Sequence, residues 1–100
     1  MRGIVYCSSF ERGVQQLEQI IRDYEVMGIT YDFRNYRRGI TTCSIEFING
    51  DYWKVVTASD RARGNCCNVA YIDRNISIEI IETVIMPTIK GRPYQAYRYY

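Results

Sequence analysis

Asp73 is the residue of this chain whose surroundings best suit it to chemistry. It closes the apolar run Val69-Ala70-Tyr71-Ile72, which follows the polar turn Arg61-Ala62-Arg63-Gly64. A short apolar run of this kind is the pattern of a strand buried in a parallel sheet. The carboxyl ends of such strands are where open α/β sheets collect ligands. An aspartate delivered there can hold Mg²⁺, but the favoured reading is structural, a helix cap or a salt bridge. Arg74 and Asn75 come next. A guanidinium fork suits phosphate oxygens. An asparagine amide either caps the following helix or reads a base or ribose edge through its paired donor and acceptor. Arg61 and Arg63 flank their turn with little evident structural purpose, and point to contact with a ligand or a nucleic acid.

A second group lies near the N-terminus. Ser8-Ser9-Phe10-Glu11-Arg12 leads from an apolar strand into a helix. Free N–H groups at a helix N-terminus favour an anion, with Arg12 as counter-charge and Phe10 beside it. The alternative is that Ser8 only caps the helix and Phe10 only staples it. Arg92 stands between Gly91 and Pro93, stiffly presented where no helix or strand face requires it, and is expected to pair with a ligand phosphate. Arginines outnumber lysines 11 to 2, and ten tyrosines and one tryptophan supply faces for them to stack on.

Catalysis finds little support. The chain has no histidine, no nucleophile elbow and no carboxylate pair at a spacing suited to acid–base work. The four cysteines form no Cys-x-x-Cys pair, so neither a metal site nor a cofactor is expected. Cys7 and Cys43 fall in apolar strands as small core residues. Cys66 and Cys67 point opposite ways if extended, and no vicinal disulfide is expected in a reducing cytosol. The expectation is a binding protein, not an enzyme.

Composition bounds the rest. One hundred residues, 47% hydrophobic and 24% charged, make one ordinary globular domain. No apolar run approaches a bilayer span, and the N-terminus lacks a signal-peptide core, so a cytosolic protein with no membrane partner is expected. A net charge of +2 is too small for generic coating of DNA. The tail Tyr94-Gln-Ala-Tyr-Arg-Tyr-Tyr suits base stacking or a subunit interface. The interface is the favoured reading, and with it a homodimer or higher homo-oligomer.

The elements that must position these groups read as follows. Ile4–Cys7 is a short buried strand. Ser8 and Glu11 form a capping box that opens a helix from about Phe10 to Met27, with Val14, Leu17, Ile21 and Tyr24 on its apolar face. Gly28 stops it. A strand near Ile29–Phe33 precedes a polar, arginine-rich connection from Arg34 to Gly39. Thr41–Ile48 and Asp51–Thr57 make a β-hairpin whose Asn49-Gly50 predicts a type I′ turn. The Val69–Asp73 strand follows. Ser77 caps a second helix over roughly Ile78–Met86, ended by Pro87, and Tyr94–Tyr100 is a short aromatic strand or tail. The order predicts a small mixed α/β sheet with two helices, parallel strands at its centre and the hairpin as an antiparallel extension.

From Ile40 to Asn75 the hairpin, the Ser-Asp-Arg-Ala-Arg-Gly loop and the strand Asn-Val-Ala-Tyr-Ile-Asp resemble the Walker B region of phage terminase- and helicase-type ATPases. The chain departs from that pattern at Arg74, where the family has a glutamate, and it contains no Gly-Lys-Ser/Thr. The resemblance implies a nucleotide-binding framework without its hydrolytic parts. The overall plan, with its Val-Tyr-Cys first strand, is also similar to the first family of phage sponge proteins that block Thoeris antiviral defence. That second resemblance implies oligomers that sequester a cyclic ADP-ribose isomer intact at subunit interfaces, arginines gripping the diphosphate and polar or aromatic groups holding the adenine. Arg12, Arg92, Asn75 and Phe10 or Tyr71 are the positions that fit those roles. The rival is a catalytically inactive terminase- or helicase-like module that binds nucleic acid or a packaging partner.

Overall fold

The structure, a computed structural model, describes residues 1–59, 62, 64–90 and 96–100. Its centre is β1 (Arg2–Cys7), whose residues after Arg2 are all buried. Burial on both faces is the mark of an inner parallel strand. β1 pairs in parallel with β4 (Tyr52–Thr57) on one side and with β5 (Val69–Ile72) on the other. A further parallel strand, β6 (Tyr97–Tyr99), lies outside β5. Beyond β4 the sheet turns antiparallel through β3 (Cys43–Glu46) and β2 (Tyr36–Arg38), giving the order β2-β3-β4-β1-β5-β6. This is a small α/β fold with a mixed sheet, two helices and a β-hairpin.

Alternation along β1 divides the core in two. Val5 and Cys7 join Val14, Leu17, Ile20, Ile21 and Tyr24 of α1 (Phe10–Val26) on one face of the sheet. Ile4 and Tyr6 face the second helix, where Ile81, Val84 and Ile85 are buried. That helix, α2, opens at Ile78–Ile80, widens to a π-helical turn over Ile81–Ile85 and tightens to a 3₁₀ turn over Met86–Thr88. Ser77 caps it as expected, its hydroxyl accepting from the Ile80 N–H. Pro87, expected to end the helix, lies inside the final 3₁₀ turn.

α1 lies close on the sheet because residue 13 is glycine. A Cβ there would stand 2.4 Å from Val55 Cγ1 and 2.8 Å from Cys7 Sγ. Tyr24 completes the contact: its ring stacks on Phe47 at 3.9 Å, and its hydroxyl donates to Asp51 while accepting from the Trp53 indole. Burial, aided by the carboxylate of Asp51 and opposed by the Trp53 N–H, pushes the Tyr24 hydroxyl up to about 12.

Three local expectations are corrected. Residues 29–33 form no strand, because Asp32 captures both the backbone N–H and the guanidinium of Arg34 and winds a 3₁₀ turn at Phe33–Asn35. The strand is instead β2, inside the segment read as an arginine-rich connection. The hairpin turn is not type I′, which needs positive φ at both central residues. Only Gly50 is left-handed, at +91°, while the Asn49 side chain takes the Asp51 N–H. Phe47 bonds both Asp51 and Gly50, so the turn is the longer kind with glycine in its left-handed position. Finally, the residue capping α1 is Ser9, not Ser8, and it makes no side-chain cap bond. Cys7, Cys43 and Cys67 are buried, Cys66 is exposed, and all four are free thiols. Among the described residues no helix is long and apolar enough to cross a membrane.

Candidate functional site

The carboxyl ends of β1 and β5 lie side by side, so the turns Ser8-Ser9 and Asp73-Arg74-Asn75 meet. Asp73 is fully buried between them. Its Oδ2 accepts from the Ser8 backbone N–H at 2.9 Å, the Ser8 hydroxyl at 2.5 Å and Arg12 Nε at 3.0 Å. Its Oδ1 accepts from the Asn75 N–H at 2.9 Å. Burial alone would raise the carboxyl pKa. The Arg12 and Ser8 side chains and the Asn75 and Ser8 amides override it and hold the group well below the usual carboxylate range. Of the roles open to a strand-end acid, Asp73 takes the ion-paired one. Four donors converge on its two oxygens and tie together the first strand, the first helix and the turn after β5.

The same bonds orient Arg12. Its Nε is fixed on Asp73, and its guanidinium carbon lies 5.6 Å from the centre of the Tyr100 ring. That ring is itself anchored, since the Tyr100 hydroxyl donates to the Tyr6 carbonyl at 2.8 Å. Burial raises the Tyr100 pKa, which keeps the hydroxyl protonated as a donor. The Arg12 side chain remains 42% exposed. Its two Nη groups have no partner among the described residues. Ser9, with φ −137° and ψ 149°, leaves the first turn of α1 without a capping side chain. A guanidinium aimed by two contacts stands beside the uncapped start of a 17-residue helix, and both groups are electropositive.

The other sequence-derived candidates divide. Arg74 and Asn75 are exposed and flank Asp73, so they join Arg12 at this end of the sheet. The Arg74 N–H donates to the backbone oxygen of Tyr100, which docks Tyr100 onto the site. Phe10 is half-buried and packs against the α1-side core. Tyr71 lies on that same face, its ring turned to Trp53 at 5.5 Å. Arg61, Arg63 and Arg92 lie outside the described residues. Ser8 as an Asp73 ligand and Tyr100 as the support for Arg12 were missed, and no local pattern marks either, because Asp73 lies 65 residues from Ser8, and Tyr6, which anchors Tyr100, lies 94 residues from it. Among the described residues no group of three or more histidines, cysteines or acids is placed to hold a metal ion.

Comparison with protein-family models, with curated proteins and with solved structures returns no match.

Proposed function

We propose that the protein binds a phosphate-bearing nucleotide ligand at the carboxyl ends of β1 and β5 and holds it without turnover. The observation that carries this is Arg12: anchored through Nε on a buried aspartate and through its face on Tyr100, it has both Nη groups left over for a ligand. Asp73 is committed to four donors, so its role is to position Arg12. The resemblance to Thoeris-blocking sponges supplies the ligand class, a cyclic ADP-ribose isomer sequestered in the host bacterial cytosol by a homo-oligomer.

The test is to incubate the protein with cyclic ADP-ribose isomers, remove excess, denature by heat and chromatograph the supernatant. The bound isomer is expected back unchanged, and Arg12→Ala should weaken binding by roughly tenfold or more. Retention of no cyclic nucleotide, together with salt-sensitive binding to DNA, would instead favour the terminase- or helicase-like module. Multiple-turnover loss of the nucleotide would make the protein an enzyme.

A further inference from the structure

The outer face of α1 carries a groove of about 310 Å³ that begins at Arg12 and Tyr100 and runs past Gln15, Gln16 and Gln19 to Arg22. These residues recur at helical spacing and form one stripe, with the two arginines about 15 Å apart along the axis. Their hydrogen bonding is uneven. At the far end Arg22 Nη2 donates to Gln19 Oε1, and Gln19 Nε2 donates to Asp23 Oδ1, both at 3.0 Å, so those side chains are tied to one another. At the near end the carboxamides of Gln15 and Gln16 have no partner among the described residues, and neither have the Nη groups of Arg12. The groove therefore offers, within one helical turn, an aimed guanidinium and two free carboxamides.

That pairing has a chemical counterpart. A carboxamide presents one donor and one acceptor side by side, which matches the hydrogen-bonding edge of a nucleobase, adenine above all. Residues one turn apart on a helix have their Cβ atoms about 6 Å apart, comparable with the span from a nucleotide's phosphate to its own base. Glu11, Asp23 and Glu25 are exposed on the same helix and repel an extended polyanion, which favours a small ligand over a nucleic-acid strand. We infer that the groove is the base-side half of the site, taking an adenine nucleoside phosphate with its phosphate at Arg12 and its base edge on Gln15 and Gln16. This rests on the proposed function in taking Arg12 as the phosphate anchor.

Calorimetry with AMP and with ribose 5-phosphate separates the two halves. Wild-type protein is expected to bind AMP about tenfold more tightly than ribose 5-phosphate, the discrimination of one good base contact. The Gln15→Ala/Gln16→Ala double variant should lose that preference and keep its affinity for ribose 5-phosphate. Both positions are on the solvent side of α1 and alanine favours helix, so the melting temperature should hold. Gln16→Glu, of the same shape but lacking the amide donor, should weaken AMP more than ribose 5-phosphate. Equal binding of the two probes by wild type, or an AMP preference that survives in the double variant, overturns the base subsite while leaving the Arg12 phosphate site standing. Failure of wild type to bind either probe overturns both.

Discussion

Replacing Asp73 by asparagine keeps the side chain's shape and removes its charge from a point where four hydrogen bonds converge. In the native site Oδ2 accepts three hydrogen bonds and Oδ1 one, all inside a residue with no exposed surface. An asparagine can offer only one oxygen. With that oxygen toward Ser8 and Arg12, its NH₂ faces the Asn75 N–H, donor against donor; the two Ser8 bonds lose their charge assistance and the Arg12 bond its ion pair. An unsatisfied buried donor costs about 1–3 kcal/mol, and charge assistance adds of the order of 1 kcal/mol per bond. Relief of the cost of burying a carboxylate offsets part of this. A net loss of about 2–4 kcal/mol follows, or a fall in melting temperature of roughly 10–20 °C for a domain of this size. The pH dependence distinguishes this cause from a packing defect. The folded carboxyl titrates well below its unfolded value, so its stabilisation is complete above about pH 4 and drains away as pH falls toward the folded pKa. Melting curves followed by circular dichroism at pH 7, 5, 3 and 2 should therefore show the wild-type advantage shrinking on the acid side, while Asp73→Asn lacks that slope. A melting temperature within about 2 °C of wild type at pH 7, or two profiles that stay parallel down to pH 2, would refute the network as a source of stability.

Gly13→Ala should destabilise by about 1–3 kcal/mol by thermal melting, although alanine is the better helix former, because its methyl would fall on Val55 and Cys7; a gain in stability would mean that α1 can lift from the sheet at little cost. In alkaline titration followed by tyrosinate absorbance, Tyr6 and Tyr24 should stay protonated to about pH 12. Since burial raises their folded pKa above the unfolded value near 10, stability should fall as pH rises past about 10; uniform ionisation of all ten tyrosines at that pH, with the fold intact, would contradict their burial. The homo-oligomer is checked by light scattering at tens of micromolar, where a mass above the 11.8 kDa monomer is expected and a monomer would count against ligand capture between subunits.

Much of this molecule is determined within windows of a few residues. The 3.6-residue spacing of Val14, Leu17, Ile21 and Tyr24 builds α1, and Gly28, at φ +77°, follows its end. The apolar run Val69–Ile72 builds β5, with Asp73 just past its carboxyl end, and Ser77 starts α2. Each is a contest between one backbone conformation and water, settled by local pattern. Tertiary structure decided what those windows do not contain. Tyr36–Arg38 becomes an edge strand because Cys43–Glu46 offers it hydrogen bonds, and its exposed arginines carry no periodic signal of burial. Ser8 leaves the cap to Ser9 because the sheet register sets β5 beside β1 and brings Asp73 within reach of its hydroxyl, a stronger partner than a helix N–H. Arg12 becomes an aimed guanidinium only when that same register delivers Asp73 and the docking of β6 delivers Tyr100. A sequence specifies which residues seek a partner, but a buried charge finds its partner through strand order, and strand order is fixed by the packing of the whole sheet.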